Sequence, residues 1–327
     1  MSVVTNTLTS PNAVGNREEL SDVVDRVARE DTPIYSLIGT TSFSTTHPEW
    51  ETEDLNAPED NVQTEGDDYT FSAASAPERV GNYTQIMRKS GIVSGTQEAM
   101  NQAGDNQKVK HQKLLRGIEL RKDVEFSIVT ANASVAGATR KSGSLSTWIT
   151  SNVSRAGSNG GFNSSTGLTV APTNGSQRAF TKVIMDDVAQ QGSTAGAKYT
   201  HLVVSPYVKS VFVTFMSDSN VASFRYSASN GKGNSIVANA DIYEGPFGKL
   251  TVMPNTVMTT SGTARNAFFV DPSKAQWGWY RKIMEDKDIA KTGDAKKFVL
   301  IGEGALKVKN EKGLGVAADL FGLTAST

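Results

Sequence analysis

Three histidines and no cysteine limit the chemistry that this chain of 327 residues can perform. His47, His111 and His201 fall on a predicted loop, a charged helix and a strand, and no two of them have the H-x-x-x-H or H-E-x-x-H spacing that holds a metal. Without cysteine there is no disulfide, thiolate nucleophile or cysteine metal ligand. We therefore expect ordinary core or surface histidines, with no metal or cofactor bound through them.

Three other stretches contain the residue types of known sites at the wrong spacing. Residues 230–235, NGKGNS, lack the G-x-x-x-x-G-K-[ST] order of a phosphate-binding loop, which favours a hairpin tip. The sequence GSTAG at 192–196 ends a predicted helix, whereas a nucleophile elbow begins one. Glu65, Asp67 and Asp68 do not follow the order of a calcium-binding loop, so a solvated or partner-facing acidic loop is favoured. We therefore expect that the chain is not an enzyme.

Composition indicates a folded chain without a strong overall field. Its 33 Lys+Arg nearly balance 34 Asp+Glu, and 38% of its residues are hydrophobic. A near-neutral chain is not steered as a whole to nucleic acid or to an anionic membrane, so DNA would be bound at most non-specifically. The N-terminus has no signal-peptide pattern and no run of 18 apolar residues occurs, which predicts a soluble protein made in the cytoplasm.

The longest helical pattern runs from 94 to 132, interrupted at Gly104. Thr96 is the predicted N-cap of its first part, and the second part begins near 106 and would span roughly 40 Å. Its apolar stripe is narrow, consisting of Leu114, Ile118, Leu120, Val124 and Ile128. Charged side chains, among them Lys110, Lys113, Arg116, Arg121 and Glu125, cover the remaining faces. Such a helix needs a long surface to lie against.

The first 93 residues are predicted to form segments that extend from the compact part of the subunit. Residues 1–16 form a polar arm and 17–29 a short helix, followed by an apolar knot of Ile34, Tyr35, Leu37 and Ile38. The next segment is strongly acidic, and its alternation predicts two strands, 47–55 and 69–73, around a tip at 56–66. A free hairpin of this kind is marginal in water, so we expect it to lie on another surface. Residues 82–95 continue as a strand.

The second half predicts a compact α/β unit after a Gly/Ser-rich loop at 132–175, which Leu145, Trp148 and Ile149 would pin down. Ser176 is the predicted N-cap of a helix that ends at Gly192 and buries Phe180, Val183, Ile184 and Val188. A strand at 199–205 and a helix from Pro206 follow. Four further strands are predicted, at 248–258, 266–271, 275–283 and 296–310. The glycine-rich tail gives no clear pattern.

This order of elements resembles the tailed-bacteriophage major capsid proteins, in the branch typified by podovirus-like phages. Four stretches carry the likeness, namely REELSDVVDRVAREDTPIYSLIG (17–39), HPEWETEDL (47–55), GNYTQIMRKSGIVSGTQEAMNQAG (81–104) and LRGIELRKDVE (115–125). The resemblance covers about the first 150 residues in sequence and the rest by order of elements alone.

The resemblance implies an α+β chain with the HK-ninety-seven-like capsid fold. It divides the chain into an N-terminal arm with a short helix (1–45), an E-loop hairpin (46–93), the spine helix and Gly/Ser-rich loop of a peripheral domain (94–175), an axial α/β domain with a mostly antiparallel sheet (176–270), and return strands to the peripheral domain with a C-terminal tail (271–327).

The implied function is a structural shell protein, without catalysis, that self-assembles as hexamers and pentamers into an icosahedral virion head around double-stranded DNA. Separate scaffolding, portal and decoration proteins are further expected partners. The residues expected to contact neighbouring subunits are Ile34, Tyr35, Leu37, Trp50, Glu51, Glu53, Asp54, Glu65, Asp67, Asp68, Lys110, Lys113, Arg116 and Arg121.

Two alternatives stay open from the sequence. An encapsulin-like nanocompartment would use the same fold to enclose cargo enzymes, although the phage-like motifs argue against it. A β-rich adhesin or tail component fits the Gly/Ser/Asn-rich middle of the chain, but the long helix fits it poorly.

Overall fold

The computed structural model describes residues 31–100, 108–214 and 241–322, except positions 57, 70, 72, 75 and 261. The predicted arm at 1–16, the helix at 17–29 and the hairpin tip at 230–235 lie outside the described residues. The helices are α1 (Pro33–Ile38), α2 (Gly95–Ala99), α3 (Lys108–Val129), α4 (Lys182–Thr194) and α5 (Pro206–Thr214).

Fourteen strands occur in the described part of the chain. They are β1 (Thr40–Ser42), β2 (Glu49–Thr52), β3 (Glu78–Gly81), β4 (Gln85–Ser94), β5 (Val153–Ser154), β6 (Gly161–Asn163), β7 (Leu168–Val170), β8 (His201–Val204), β9 (Ile242–Gly245), β10 (Gly248–Pro254), β11 (Ala267–Val270), β12 (Ala275–Asp286), β13 (Ala295–Val308) and β14 (Leu314–Ala317).

A four-stranded sheet in the order β1-β12-β13-β4 supports the long helix α3. The 22 residues of α3 span about 33 Å, and their apolar side chains Leu120, Val124 and Ile128 are fully buried. Leu114, predicted in the same stripe, is exposed instead. Ser94, and not Thr96, caps the preceding helix α2 by accepting a hydrogen bond from the Gln97 amide at 3.2 Å. The predicted long helix is thus confirmed from residue 108 onward.

The second large sheet has six strands in the order β5-β14-β11-β8-β10-β9. Three of its five strand pairings are antiparallel, and the pairs β8-β10 and β5-β14 are parallel. Strand alternation separates its side chains: Leu202 and Phe269 pack with α4 and α5, whereas Val203 and Phe268 face a core shared with α3 and the four-stranded sheet. The two sheets therefore share one continuous apolar core through Val124 and its neighbours.

The acidic hairpin differs from its prediction in the return strand. The outgoing strand is present as β2, but it pairs with β3 at 78–81 and not with residues 69–73. Tyr69 and Phe71 alternate as in a strand, yet both side chains are almost fully exposed and no described strand pairs with them. The alternation alone could not show which partner strand was available.

The helix with Ser176 as its predicted N-cap begins five residues later. Arg178 forms a bridge with Leu320, and the Phe180 amide donates to the Gly322 carbonyl at 2.8 Å, so this segment is extended. Thr181 is the N-cap and accepts a hydrogen bond from the Ile184 amide at 3.5 Å. Because the helix begins later, Val183 lies on the outside with 75% of its side chain exposed, which corrects its predicted burial.

The C-terminal tail is buried through Asp319. This residue has a left-handed backbone with φ of 59°, and its carboxylate accepts hydrogen bonds from the amides of Ala156, Gly157 and Gly175 at 3.0 to 3.2 Å. Asn and Asp tolerate this conformation better than most residues. The contacts tie the Gly/Ser-rich segment to the tail, next to the buried strand β14.

Candidate assembly surfaces

The predicted apolar knot is part of the subunit's own core. Ile34 is fully buried within the cluster that contains Val124 and Trp277. Tyr35 and Leu37 are half-buried against the same cluster, and the Tyr35 hydroxyl accepts a hydrogen bond from Trp279 Nε1 at 3.2 Å. Ile34 therefore has no surface to offer a neighbour, and its place in the subunit core corrects its predicted contact. The helix α1 begins at Pro33, whose fixed φ favours the first helical position.

The base of the hairpin is fixed to the end of β13. Trp50 Nε1 donates to the Val308 carbonyl at 2.7 Å, and its ring lies 5.6 Å from that of Trp148. Asp54 pairs with Lys312 at 2.7 Å, and this hydrogen bond lowers the pKa of the Asp54 carboxyl. Trp50 and Asp54 thus both have partners inside the subunit.

Beyond this base, the described residues of the segment 55–77 are all exposed. Its large apolar side chains are exposed to an unusual degree, with Leu55 97%, Val62 83%, Tyr69 87% and Phe71 94% exposed. Glu51, Glu53, Glu65, Asp67 and Asp68, all predicted contacts, are exposed as well. Large contiguous apolar surface on a folded subunit marks an interaction site. We call the segment 55–77 the acidic loop.

The four predicted basic contacts on α3 divide into two pairs. Lys113 binds Glu285 of β12 at 2.7 Å, and Arg116 binds Glu119 at 2.7 Å, so both are engaged within the subunit. Lys110 and Arg121 are exposed. Their predicted contacts with a neighbour stay predictions.

A second surface, which the sequence did not suggest, is the face of the four-stranded sheet opposite α3. In the antiparallel register Ile86 pairs with Glu303, Ile92 with Lys297, and Met284 with Ile301, and residues paired in this way point to the same face. On that face the side chains of Ile86, Ile92 and Met284 are all at least half exposed. We call this surface the open sheet face.

The open sheet face is apolar with basic residues beside the apolar ones. Ile86, Ile92 and Met284 are 50%, 64% and 56% exposed. Arg88 and Lys297 are exposed on the same face, and Lys297 donates a hydrogen bond to Thr292. A solvated antiparallel sheet normally presents polar residues on its outer face, so the apolar ones indicate that something covers it.

A buried charge cluster holds the inner end of this face together. Glu303 of β13 accepts hydrogen bonds from Arg281 Nε at 3.0 Å, Arg140 Nη2 at 2.8 Å and Thr84 Oγ1 at 2.7 Å. Burial raises the pKa of Glu303, but the hydrogen bonds outweigh this effect and hold it below its usual range. The cluster joins β13, β12, the start of β4 and the loop after α3 into one unit.

A metal-binding cluster is not found among the residues that the structure describes. No group of three or more His, Asp and Glu side chains there is placed to hold a metal ion. Within the same residues, no helix has the length and apolar character needed to cross a membrane.

Comparison with known proteins identifies the family. A model of the SU10 major capsid protein family matches residues 3–321, nearly the whole chain. The chain belongs to the SU10 major capsid protein family. It is a structural subunit of a viral capsid shell, and the acidic loop and the open sheet face are surfaces of that capsid subunit. Among curated proteins, none matches the chain.

Solved structures show the fold of this capsid protein. A chain from the Cyanophage A-1(L) capsid asymmetric unit has 13% identity and a TM-score of 0.61, covering 96% of this chain and 99% of that one. A chain from Mycobacterium phage Bobi has 13% identity and a TM-score of 0.58, covering 94% and 96%. A chain from the capsid of a native GTA particle has 11% identity and a TM-score of 0.58, covering 94% and 97%. The fold is α+β and HK-ninety-seven-like, as the sequence predicts.

Proposed function

We propose that this capsid protein self-assembles, through hexamers and pentamers, into an icosahedral head shell around double-stranded DNA, and that it has no catalytic activity. The observation that carries the proposal is the acidic loop, whose four large apolar side chains are more than four-fifths exposed on the isolated subunit. The four-stranded sheet with α3 would form the peripheral domain, and the six-stranded sheet with α4 and α5 the axial domain. The subunit would be made in the cytoplasm of a bacterial host.

The acidic loop of one subunit would dock on the open sheet face of a neighbour. Tyr69 and Phe71 would cover Ile86, Ile92 and Met284, which removes apolar surface of both copies from water. Asp67 and Asp68 would approach Arg88 and Lys297, and such rim charges chiefly set register and partner choice. Exposed apolar area is thus present on both parts of the chain, and Arg88 and Lys297 offer Asp67 and Asp68 partners of opposite charge.

Paired charge reversals test this docking, because one protein carries both surfaces. We expect Asp67→Lys with Asp68→Lys to abolish shells, and Arg88→Glu with Lys297→Glu to do the same. The chain with all four changes should recover assembly, since every pair is again opposite in charge. All of these side chains are exposed, so each variant should keep the thermal unfolding of the wild-type subunit. Failure of the fourfold variant to assemble, with both double variants defective, would reject this pairing.

The alternatives are less well supported. An encapsulin-like shell would share the fold, but the family match is to major capsid proteins. A tail or adhesin component would not need the 22-residue helix α3 packed on a sheet. Separate scaffolding, portal and decoration proteins remain expected partners of the shell. DNA inside the particles, detected after nuclease treatment of the exterior, would distinguish a virus head from a cargo compartment.

A further inference from the structure

One buried carboxylate accepts the first backbone hydrogen bonds of helix α1. Pro33 at the first helical position has no N–H, so Ile34 and Tyr35 are the first two donors of the helix. Both donate to Glu125 of α3, the Ile34 amide to Oε1 at 3.0 Å and the Tyr35 amide to Oε2 at 2.8 Å. Thr32, the N-cap residue, makes no side-chain capping bond. The first free amides of α1 therefore depend on a residue about 90 positions away.

The same carboxylate holds the loop that follows β10 of the six-stranded sheet. Asn255 Nδ2 donates to Glu125 Oε1 at 2.5 Å. Asn255 is fully buried and fixed from its own side, because its amide donates to the Val204 carbonyl at 2.8 Å and its Oδ1 accepts from the Val257 amide at 2.9 Å. Its remaining amide hydrogen bond is the link to α3.

Glu125 is fully buried, and among the described residues no Lys, Arg or His forms an ion pair with it. Burial raises the pKa of Glu125, and the three hydrogen bonds from Tyr35, Ile34 and Asn255 oppose the rise. An uncompensated buried charge is costly, so each neutral donor matters to the other two.

We propose that Glu125 is a conformational coupler that makes the docking of the N-terminal segment and the docking of the Asn255 loop depend on each other. The segment 31–42 follows residues 1–30, and Asn255 lies in the loop after β10 of the six-stranded sheet. Glu125 therefore connects the N-terminal segment with the packing of that sheet on α3. When either donor set leaves, the buried carboxylate loses part of the stabilisation that offsets its desolvation, so it moves towards water more easily and releases the other donors. In a shell subunit, the packing of the six-stranded sheet on α3 therefore depends on whether the N-terminal segment is docked.

The test uses amide hydrogen exchange on the full-length, unassembled chain. Asn255→Ala should speed exchange of the Ile34, Tyr35 and Ser36 amides about tenfold, although Asn255 donates no hydrogen bond to that segment. Asn266→Ala is the matched control: Asn266 is a buried asparagine in the same region whose Nδ2 donates to the Gly262 carbonyl, and its loss should leave α1 unchanged. Faster exchange confined to the residues around 255 would overturn the proposal.

A second measurement needs no variant. In the wild-type chain under increasing mild denaturant, the amides of Ile34, Tyr35 and Val257 should merge into one opening unit with a common free energy of opening. Separate opening free energies for the N-terminal segment and the Asn255 loop would reject the coupling even where Asn255→Ala does not fold.

Discussion

The Phe298 ring of β13 lies directly over Gly91 of β4, and a Cβ built at Gly91 would overlap that ring. The two residues are paired in the antiparallel register, on the face that α3 covers. Lys113 of α3 in turn places its ammonium group 5.8 Å from the centre of the same ring. Gly91 is therefore required by the packing between the sheet and the long helix.

Gly91→Ala should destabilise the subunit by about 1–3 kcal/mol, because the added methyl group overpacks a buried aromatic ring. Gly117→Ala in α3 is the control, since its Cβ would meet only Leu300 Cδ1 at 4.0 Å and alanine favours a helix. Chemical denaturation of both unassembled variants measures the effect. Equal stability of Gly91→Ala and wild type would contradict this packing.

Glu303 should make the subunit sensitive to acid. Its folded-state pKa lies below its unfolded value, so the ionised carboxylate stabilises the fold above the unfolded-state pKa, and this stabilisation is lost as pH falls through the folded-state pKa. We expect the wild-type free energy of unfolding to fall between about pH 5 and pH 3. Glu303→Gln should be less stable at pH 7 by about 2 kcal/mol and show a flatter profile in that window.

The exposed Glu51 provides the comparison for this profile. Glu51→Gln should keep the wild-type free energy of unfolding at pH 7, since the changed side chain is exposed. If Glu303→Gln kept the full wild-type slope, the cluster of Glu303 with Arg140 and Arg281 would not be the source of acid sensitivity.

The N-cap of α4 is Thr181 in the structure, whereas the sequence pattern predicts Ser176. Two alanine variants test which residue caps the helix. Thr181→Ala should cost about 0.5–1 kcal/mol, because it removes the side-chain cap, whereas Ser176→Ala should change the free energy of unfolding by less than about 0.5 kcal/mol. Thermal or denaturant unfolding of the two variants measures the difference. A larger loss at Ser176 would restore the helix start that the sequence predicted.

Truncation should separate the arm from the core. Removal of residues 1–30 should leave a folded subunit that does not form normal shells. Removal of 1–42, in contrast, should unfold the subunit, because α1 and β1 are then lost. Each of the two buried isoleucines, Ile34 and Ile38, contributes about 1.5–3 kcal/mol. Circular dichroism and electron microscopy check both properties. Normal particles from the shorter truncation would contradict a role for the arm.

Local patterns predicted the elements that their own residues determine. The helix α3, the helix from Pro206 and the strands β10 to β13 appear where periodicity and proline placed them. The resemblance of the first 150 residues supplied the family and the function. These features depend on short-range preferences or on family patterns.

Long-range contacts set the features that the sequence could not reveal. Glu125 is one charge among many in its helix, and only the approach of Ile34 and Asn255 makes it a buried acceptor. The tail strand β14 is broken by glycine in the sequence, yet pairing with β11 and β5 and the Asp319 contacts bury it. The open sheet face required the strand register, because no single strand shows that Ile86, Ile92 and Met284 lie on one surface.

Electron microscopy of the purified protein, alone and with its neighbouring gene products, tests the central claim most directly. We predict closed shells in which the acidic loop of each subunit is ordered against the open sheet face of a neighbour. A monodisperse monomer under every assembly condition would contradict the shell function. Shells whose acidic loops make no contact with a neighbouring subunit would contradict the proposed docking.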